Sequence, residues 1–396
     1  MNAWRLLRAI GEIDDAFIEQ AESYRRRRTA VPWLAAAACF VLVLGAAVWR
    51  AGLSAPPASS SEPALGLPLL PSAVTDTGMG FEGVEVRSAE DYRPLNALED
   101  GQELPDTMPV YRNPSWLSRP DLDAMEARLW EVAALFGVTE GEVVRTDNTP
   151  PDEELEQIIK GIEEKGFPVS DQMFSGSVKL ETDGLSFYAA KSGAVRVTMK
   201  PGTLTYGDAP FDPDETAQSL LASMSDQLGL QDPEAVVTGG NVDRDGNVNY
   251  EIVFAERSET AAARAEERSL NTVGFGYFPK EESESVTVWY NAYDRSEKLG
   301  DYPIITPDEA LALLENGNCI TTVPGSLPSA DDVRVVELVY RAPNEEVYQP
   351  YYRFWAEVKP EGIAQQEGVV TLGAYYVPAV ESQYLEELPV WDGHFN

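Results

Sequence analysis

The sequence predicts an α+β fold of antiparallel sheets with helices packed on one face, preceded by one transmembrane helix and a disordered linker. Three observations predict it: an uncharged apolar run of 19 residues at 31–49, acid-rich helix caps that recur along the rest of the chain, and short alternating apolar runs that meet at Asp-Gly or Ser-Gly turns.

Residues 1–30 form the first unit. Leu6, Ile10, Ile13, Phe17 and Ala21 recur at helical spacing and share one face, while Glu12, Asp14, Asp15, Glu19 and Glu22 occupy the others. Such a stripe suits helix-in-groove packing against a cytoplasmic protein. The same letters also fit a helix lying on lipid or pairing with a second copy. Arg25, Arg26, Arg27 and Arg28 stand before the apolar run and only Arg50 follows at once, so the positive-inside rule places the N-terminus in the cytoplasm. At ~1.5 Å per residue the run reaches about 28 Å, close to the ~30 Å of a bilayer core. Residues 31–50 therefore read as a single transmembrane helix, with the four arginines as its inner clamp and Trp33 and Trp49 as interfacial anchors. A cleaved signal peptide is the rival reading. A 30-residue leader carrying five acids, and an apolar run longer than a signal core, favour an uncleaved anchor in the cell membrane.

Residues 51–75, rich in Pro, Ala and Ser, read as a flexible tether. Beyond it the chain is extracytoplasmic. Residues 51–396 carry 61 acidic against 23 basic side chains, a net −38 that repels phosphate backbones and excludes a nucleic-acid binder acting by counterion release. One His, His394, removes most His-based catalysis and zinc chemistry. With Cys39 in the apolar run, Cys319 is the only thiol outside it and reads as a small buried hydrophobe.

The tail segment Ala9-Ile10-Gly11-Glu12-Ile13-Asp14-Asp15-Ala16-Phe17-Ile18-Glu19-Gln20-Ala21, followed by arginines and a span, resembles the short IGxIDDxxIxxA tail of single-span anti-sigma-factor-like proteins of low-GC Gram-positive bacteria. The resemblance implies a cytoplasmic partner, an extracytoplasmic-function sigma factor, held by Ile10, Ile13, Asp14, Asp15, Phe17 and Ile18. The His-Cys-Cys zinc motif of larger anti-sigma domains is absent from the chain.

The exterior alternates helices and hairpins. Asp212-Pro213-Asp214-Glu215 and Thr306-Pro307-Asp308-Glu309 read as capping boxes with Pro at the first helical position. Arg119-Pro120-Asp121 and Pro150-Pro151-Asp152-Glu153 are looser versions. The helical segments they lead are 122–136, 155–165, 219–228 and 310–315. Runs 178–182 and 185–190 meet at Asp183-Gly184, and 195–199 follows Ser192-Gly193, which predicts a meander. Runs 235–242 and 247–254 meet at Asp245-Gly246, and 273–278 precedes 286–293 as a further pair. Runs 333–340, 351–358 and 369–377 predict strands with one face on a helix and the other wet. Residues 301–314, a strand entering a capped helix ahead of this meander, resemble PepSY-like extracytoplasmic modules and the accessory regulators of wall sensor kinases. The expected division is 76–205, 206–300 and a PepSY-like unit at 301–396.

No motif here demands catalysis, a cofactor or a metal. Residues 241–251 place oxygens at alternate positions as a calcium loop does, but an Asp-Gly turn explains the same letters. Residues 108–114 read as an edge strand or a surface ligand strip. Tyr351, Trp355, Tyr375 and Tyr376 read as core against the helix at 307–316, ahead of an aromatic platform. The expected function is non-enzymatic: a membrane-anchored extracytoplasmic regulatory or sensor protein whose tail binds a sigma factor. The alternative is a cell-surface inhibitor, chaperone or wall-binding module with no cytoplasmic partner.

Overall fold

The structure, a computed structural model, describes residues 66–71, 81–99, 101–164, 169–202, 204, 212–276, 285–343, 345–359 and 366–391. The expected tail and span, with Ile10, Ile13, Asp14, Asp15, Phe17, Ile18, Arg25, Arg26, Arg27, Arg28, Trp33 and Trp49, lie outside the described residues, as do Cys39 and His394. Among the described residues no helix is long and apolar enough to cross a membrane.

In chain order the elements are β1 (Gly83–Val86), β2 (Thr107–Arg112), α1 (Leu122–Leu135), β3 (Val143–Asp147), α2 (Asp152–Glu163), β4 (Gly176–Glu181), β5 (Leu185–Ala190), β6 (Val195–Met199), α3 (Pro213–Ser223) and α4 (Ser225–Leu228). There follow β7 (Pro233–Val242), β8 (Val248–Glu256), α5 (Ala261–Leu270), β9 (Asn271–Phe275), β10 (Val286–Ala292), β11 (Lys298–Pro303), α6 (Pro307–Glu315), β12 (Val333–Tyr340), β13 (Val347–Tyr348), β14 (Pro350–Val358) and β15 (Val370–Pro378). This is an α+β fold whose sheets are antiparallel. One sheet has eight strands in the order β3-β4-β5-β6-β10-β9-β8-β7, a second has four (β1-β15-β14-β12), and a third has three (β11-β2-β13).

Local chemistry starts the helices where the caps predict. Asp121 accepts from the N–H groups of Asp123 and Ala124, and Asp212 from those of Asp214 and Glu215. Thr306 and Glu309 complete a reciprocal box, the Thr306 N–H donating to Glu309 Oε2 at 2.8 Å. The helix expected over 219–228 instead begins at Pro213 and breaks at Met224, where φ is −119°. Leu129 and Val132 of α1 and Leu220 of α3 cover one face of the large sheet and bury Val178, Phe187, Val197, Ile252, Phe254 and Val288.

Several expectations need correction. The large sheet runs through the boundary placed at 205/206, because β6 pairs directly with β10, Val197 facing Val288. The boundary at 300/301 is also bridged: β1 joins β15, and β2 joins β11 and β13. The tether is shorter than 51–75, since Leu70 is fully buried beside Val110, Tyr302 and Tyr384, and the Tyr302 hydroxyl donates to the Pro68 carbonyl at 2.8 Å. Residues 107–112 form a central strand, neither an edge nor a surface strip, with Met108 and Val110 fully buried. Pro109 is tolerated there because β13 flanks only Tyr111 and Arg112, and the Pro109 carbonyl takes its bond from the Tyr340 hydroxyl at 2.8 Å. Both faces of β14 are largely packed, Tyr352, Phe354 and Ala356 in one cluster and Tyr351 and Trp355 in another, while Arg353 and Glu357 keep part of the second face open to solvent. The aromatic residues Tyr351, Trp355, Tyr375 and Tyr376 are accordingly core, with Tyr375 alone in the cluster that holds Ala310 and Leu314 of α6.

Candidate functional site: a charged cleft between two sheets

The uncovered face of the β8-β9-β10 end of the large sheet and the β12-β14-β15 surface enclose a cleft of about 500 Å³, into which Arg268 and Ser269 of α5 also reach. A second hollow of about 530 Å³ continues it past Tyr92 and Tyr250, sharing Leu95, Glu251, Val253 and Arg353.

Its roof is built from charges set inside apolar strands. Arg353 on β14 faces Glu337 on β12, with Nε and Nη2 at 2.7 and 2.6 Å from Oε2. The same Oε2 accepts from Trp355 Nε1 at 2.7 Å, and Oε1 accepts from the Asn96 N–H at 2.8 Å. A fully buried carboxylate is thus saturated, which is the condition under which a buried ion pair is tolerated. Burial alone would lower the Arg353 guanidinium, but Glu337 and Tyr376 outweigh it and hold the group charged.

Beside it lies a second pair. Arg341 Nη1 is 2.6 Å from Glu345 Oε1, and the Tyr351 hydroxyl donates to Glu345 Oε2 at 2.7 Å. Burial pushes the Glu345 carboxyl up to about 7, with Arg341 and Tyr351 offsetting only part of the effect. Tyr376 stands between the two arginines, its ring centroid 4.9 Å from the Arg341 guanidinium and 5.9 Å from that of Arg353, and its hydroxyl donates to Glu82. The third arginine, Arg268, is held by Glu234 at 2.8 Å and by the Leu95 carbonyl at 2.9 Å.

The floor is simpler. Trp289 and Asn291 of β10, Thr272 and Gly274 of β9, and Val253 and Glu251 of β8 line it. Trp289 is 40% exposed, an unusual amount for the largest side chain on a sheet. Glu251 has no side-chain hydrogen bond or ion pair among the described residues. Burial in the surrounding protein raises its carboxyl, though the residue keeps an exposed surface at the cleft mouth and water there tempers the effect.

Of the residues lining this cleft, the sequence points only to Glu251, as the last residue of the calcium-loop-like segment 241–251, and to Tyr376, in the aromatic platform ranked behind a core role. A charge inside an apolar β run was the available signal: Glu337 stands between Val335-Val336 and Leu338-Val339-Tyr340, and Arg353 between Tyr351-Tyr352 and Phe354-Trp355. Arg268 sits on α5, a helix the apolar periodicity does not reveal. Its signal is the Thr260 cap before an alanine-rich stretch, and Thr260 Oγ1 does accept from the Ala263 N–H at 3.2 Å.

The oxygen-rich segment 241–251 closes the β7–β8 hairpin, as the Asp-Gly reading has it: Asp243 Oδ1 accepts from the N–H groups of Asp245 and Asn247, both at 2.9 Å. Among the described residues no group of three or more His, Cys, Asp or Glu is placed to hold a metal. Cys319 is fully buried in the core with Leu314 and Tyr375, and burial pushes its thiol up to about 12.

No family model matches the chain, and no curated protein matches it. Among solved structures it is similar to an uncharacterized protein from Eubacterium rectale, at 13% identity over 70% of this chain and 84% of that one, with a TM-score of 0.33.

Proposed function

We propose that the chain is a membrane-anchored extracytoplasmic sensor. Residues 31–49 cross the bilayer, residues 1–30 engage a cytoplasmic factor through Ile10, Ile13, Asp14, Asp15, Phe17 and Ile18, and the folded exterior takes its ligand in the cleft between the sheets. The observation that carries this reading is the uncharged 19-residue run with four arginines before it and a single arginine directly after it. The cleft supports a binding role over a catalytic one. Its three arginines are each tied to a carboxylate, an arrangement that fixes shape and leaves none of them free as an acid, base or electrophile.

Direct binding tests the tail. The full chain in detergent, mixed with the purified extracytoplasmic-function sigma factors of its own organism, is expected to co-elute with one of them, and Ile13→Asp or Phe17→Asp is expected to abolish this. Absence of a complex with any of them would contradict the sigma-factor reading and leave a surface interaction module without a cytoplasmic partner.

A further inference from the structure

Gly274 faces the cleft from β9, and Gly276, two residues on, lines the same floor, while Phe275 between them packs into the helix-covered core. Glycine inside or next to a strand weakens it, so a reason is owed. Neither residue adopts a positive φ, and a Cβ on either would meet no described atom within 4 Å. Backbone conformation and crowding therefore explain neither. What remains is the space itself, kept open along the floor of the cleft.

The neighbours of that space form a series. Lys179, Tyr188, Arg196, Trp289, Gly274 and Val253 are successive partners across β4, β5, β6, β10, β9 and β8. The Lys179 ammonium lies 5.6 Å from the Tyr188 centroid, and the Arg196 guanidinium lies 5.0 Å from Tyr188 and 5.4 Å from Trp289. Cation and ring alternate along the row, and the row stops at Gly274, where the next cation would stand. From Trp289 to Val253 is two strand spacings, about 9–10 Å, which is room for one planar group against the indole.

Electrostatics selects the sign of that group. The cleft arginines are already paired with Glu234, Glu337 and Glu345, so an anion would have to displace a bound carboxylate. Glu251, one residue beyond the Ile252–Phe275 pair, has no side-chain partner among the described residues and lies on the same floor. The chain as a whole carries a net charge of −36, which draws cations toward any opening.

We infer that the cleft binds a guanidinium- or ammonium-bearing ligand whose cation sits over Gly274, against the free side of Trp289, with Glu251 as its counter-charge. This deepens the sensor reading only in taking the cleft as the ligand site, and it is independent of membrane anchoring.

Calorimetric titration of the purified full chain tests it with four probes: agmatine, an end-blocked Gly-Arg-Gly peptide, citrulline amide as the neutral isostere, and succinate as an anion. Saturable one-to-one binding of agmatine or the peptide is expected, with citrulline amide weaker by at least about tenfold. The tighter of the two cationic probes identifies a small-molecule or a peptide source. Glu251→Gln is expected to weaken that binding by about tenfold or more, and Gly274→Val to abolish it with an unchanged circular dichroism spectrum. If Gly274→Val does not fold, Trp289→Leu takes its place with the same expected loss. No saturable binding of either cationic probe, equal binding of citrulline amide, or unaltered affinity in the variants would overturn the assignment. Succinate binding that Gly274→Val abolishes would overturn the cationic ligand while leaving the cleft as the sensing site.

Discussion

Arg353 and Glu337 face each other on neighbouring strands, 2.6 Å apart, in a part of the fold where Glu337 has no solvent contact at all. Removing one partner strands the other, along with Trp355 Nε1 and the Asn96 N–H. Glu337→Leu is expected to cost about 3–5 kcal/mol, and the double replacement Glu337→Leu with Arg353→Met to recover a large part of it. Urea midpoints at unchanged m-value measure both. A double variant no more stable than the single would contradict the account of this pair.

Glu345 sets a pH dependence. Burial raises its carboxyl from 4.5 to about 7, with Arg341 and Tyr351 facing it. The folded chain keeps this proton in a range where the unfolded chain has released it, so the group's contribution to stability falls as pH rises from about 4.5 to about 7. The stability of the protein relative to Glu345→Gln is therefore expected to decline across that range and to level off above it. Thermal midpoints of both proteins from pH 5 to 8 check this, and a constant difference would contradict it.

Two glycines separate packing from vacancy. A Cβ at Gly373 would meet Val323 Cγ2 at 2.7 Å and Val358 Cγ2 at 3.1 Å, whereas at Gly274 it meets no described atom within 4 Å. Gly373→Ala is expected to destabilise by about 1–3 kcal/mol. Gly274→Ala is expected to be neutral or to stabilise by up to about 1 kcal/mol. Chemical denaturation distinguishes them, and equal losses at the two positions would contradict the reading of an open floor.

The cap of α6 is a local test. Thr306 Oγ1 accepts from the Glu309 N–H at 3.3 Å, and the Thr306 N–H returns a bond to the Glu309 carboxylate. Thr306→Ala is expected to cost about 1 kcal/mol. The Glu309 carboxyl is lowered by the Thr306 backbone and side-chain bonds, so its contribution is present above the ordinary 4.5 and is lost as pH falls below it. Denaturation of Thr306→Ala at pH 7 and pH 3 is expected to show the larger loss at pH 7.

Local features of the fold were legible in the letters. Asp183-Gly184 joins β4 to β5, Ser192-Gly193 joins β5 to β6, Asp245-Gly246 joins β7 to β8, and Asp212 and Thr306 start helices. Pairings between distant strands were not, because nothing near Thr107–Arg112 encodes that Lys298–Pro303 and Val347–Tyr348 will flank it. The cleft shares that origin. Lys179, Tyr188, Arg196, Trp289 and Gly274 become a row only once β10 crosses to lie between β6 and β9. Helix α5 escaped because its buried face is made of the small side chains Ala261 and Ala265 with Leu270 as the one large apolar residue, so its periodicity is carried mainly by charges on the other face.

The central proposal is topological, that residues 1–30 and the folded part of the chain lie on opposite sides of a membrane. Protease treatment of intact cells, read with epitopes at both ends, tests it most directly. The account predicts that the C-terminal epitope is lost, the N-terminal one is protected, and the protected fragment stays with membranes through alkaline carbonate extraction. A protected C-terminal epitope, or the whole chain in the soluble fraction, would contradict it.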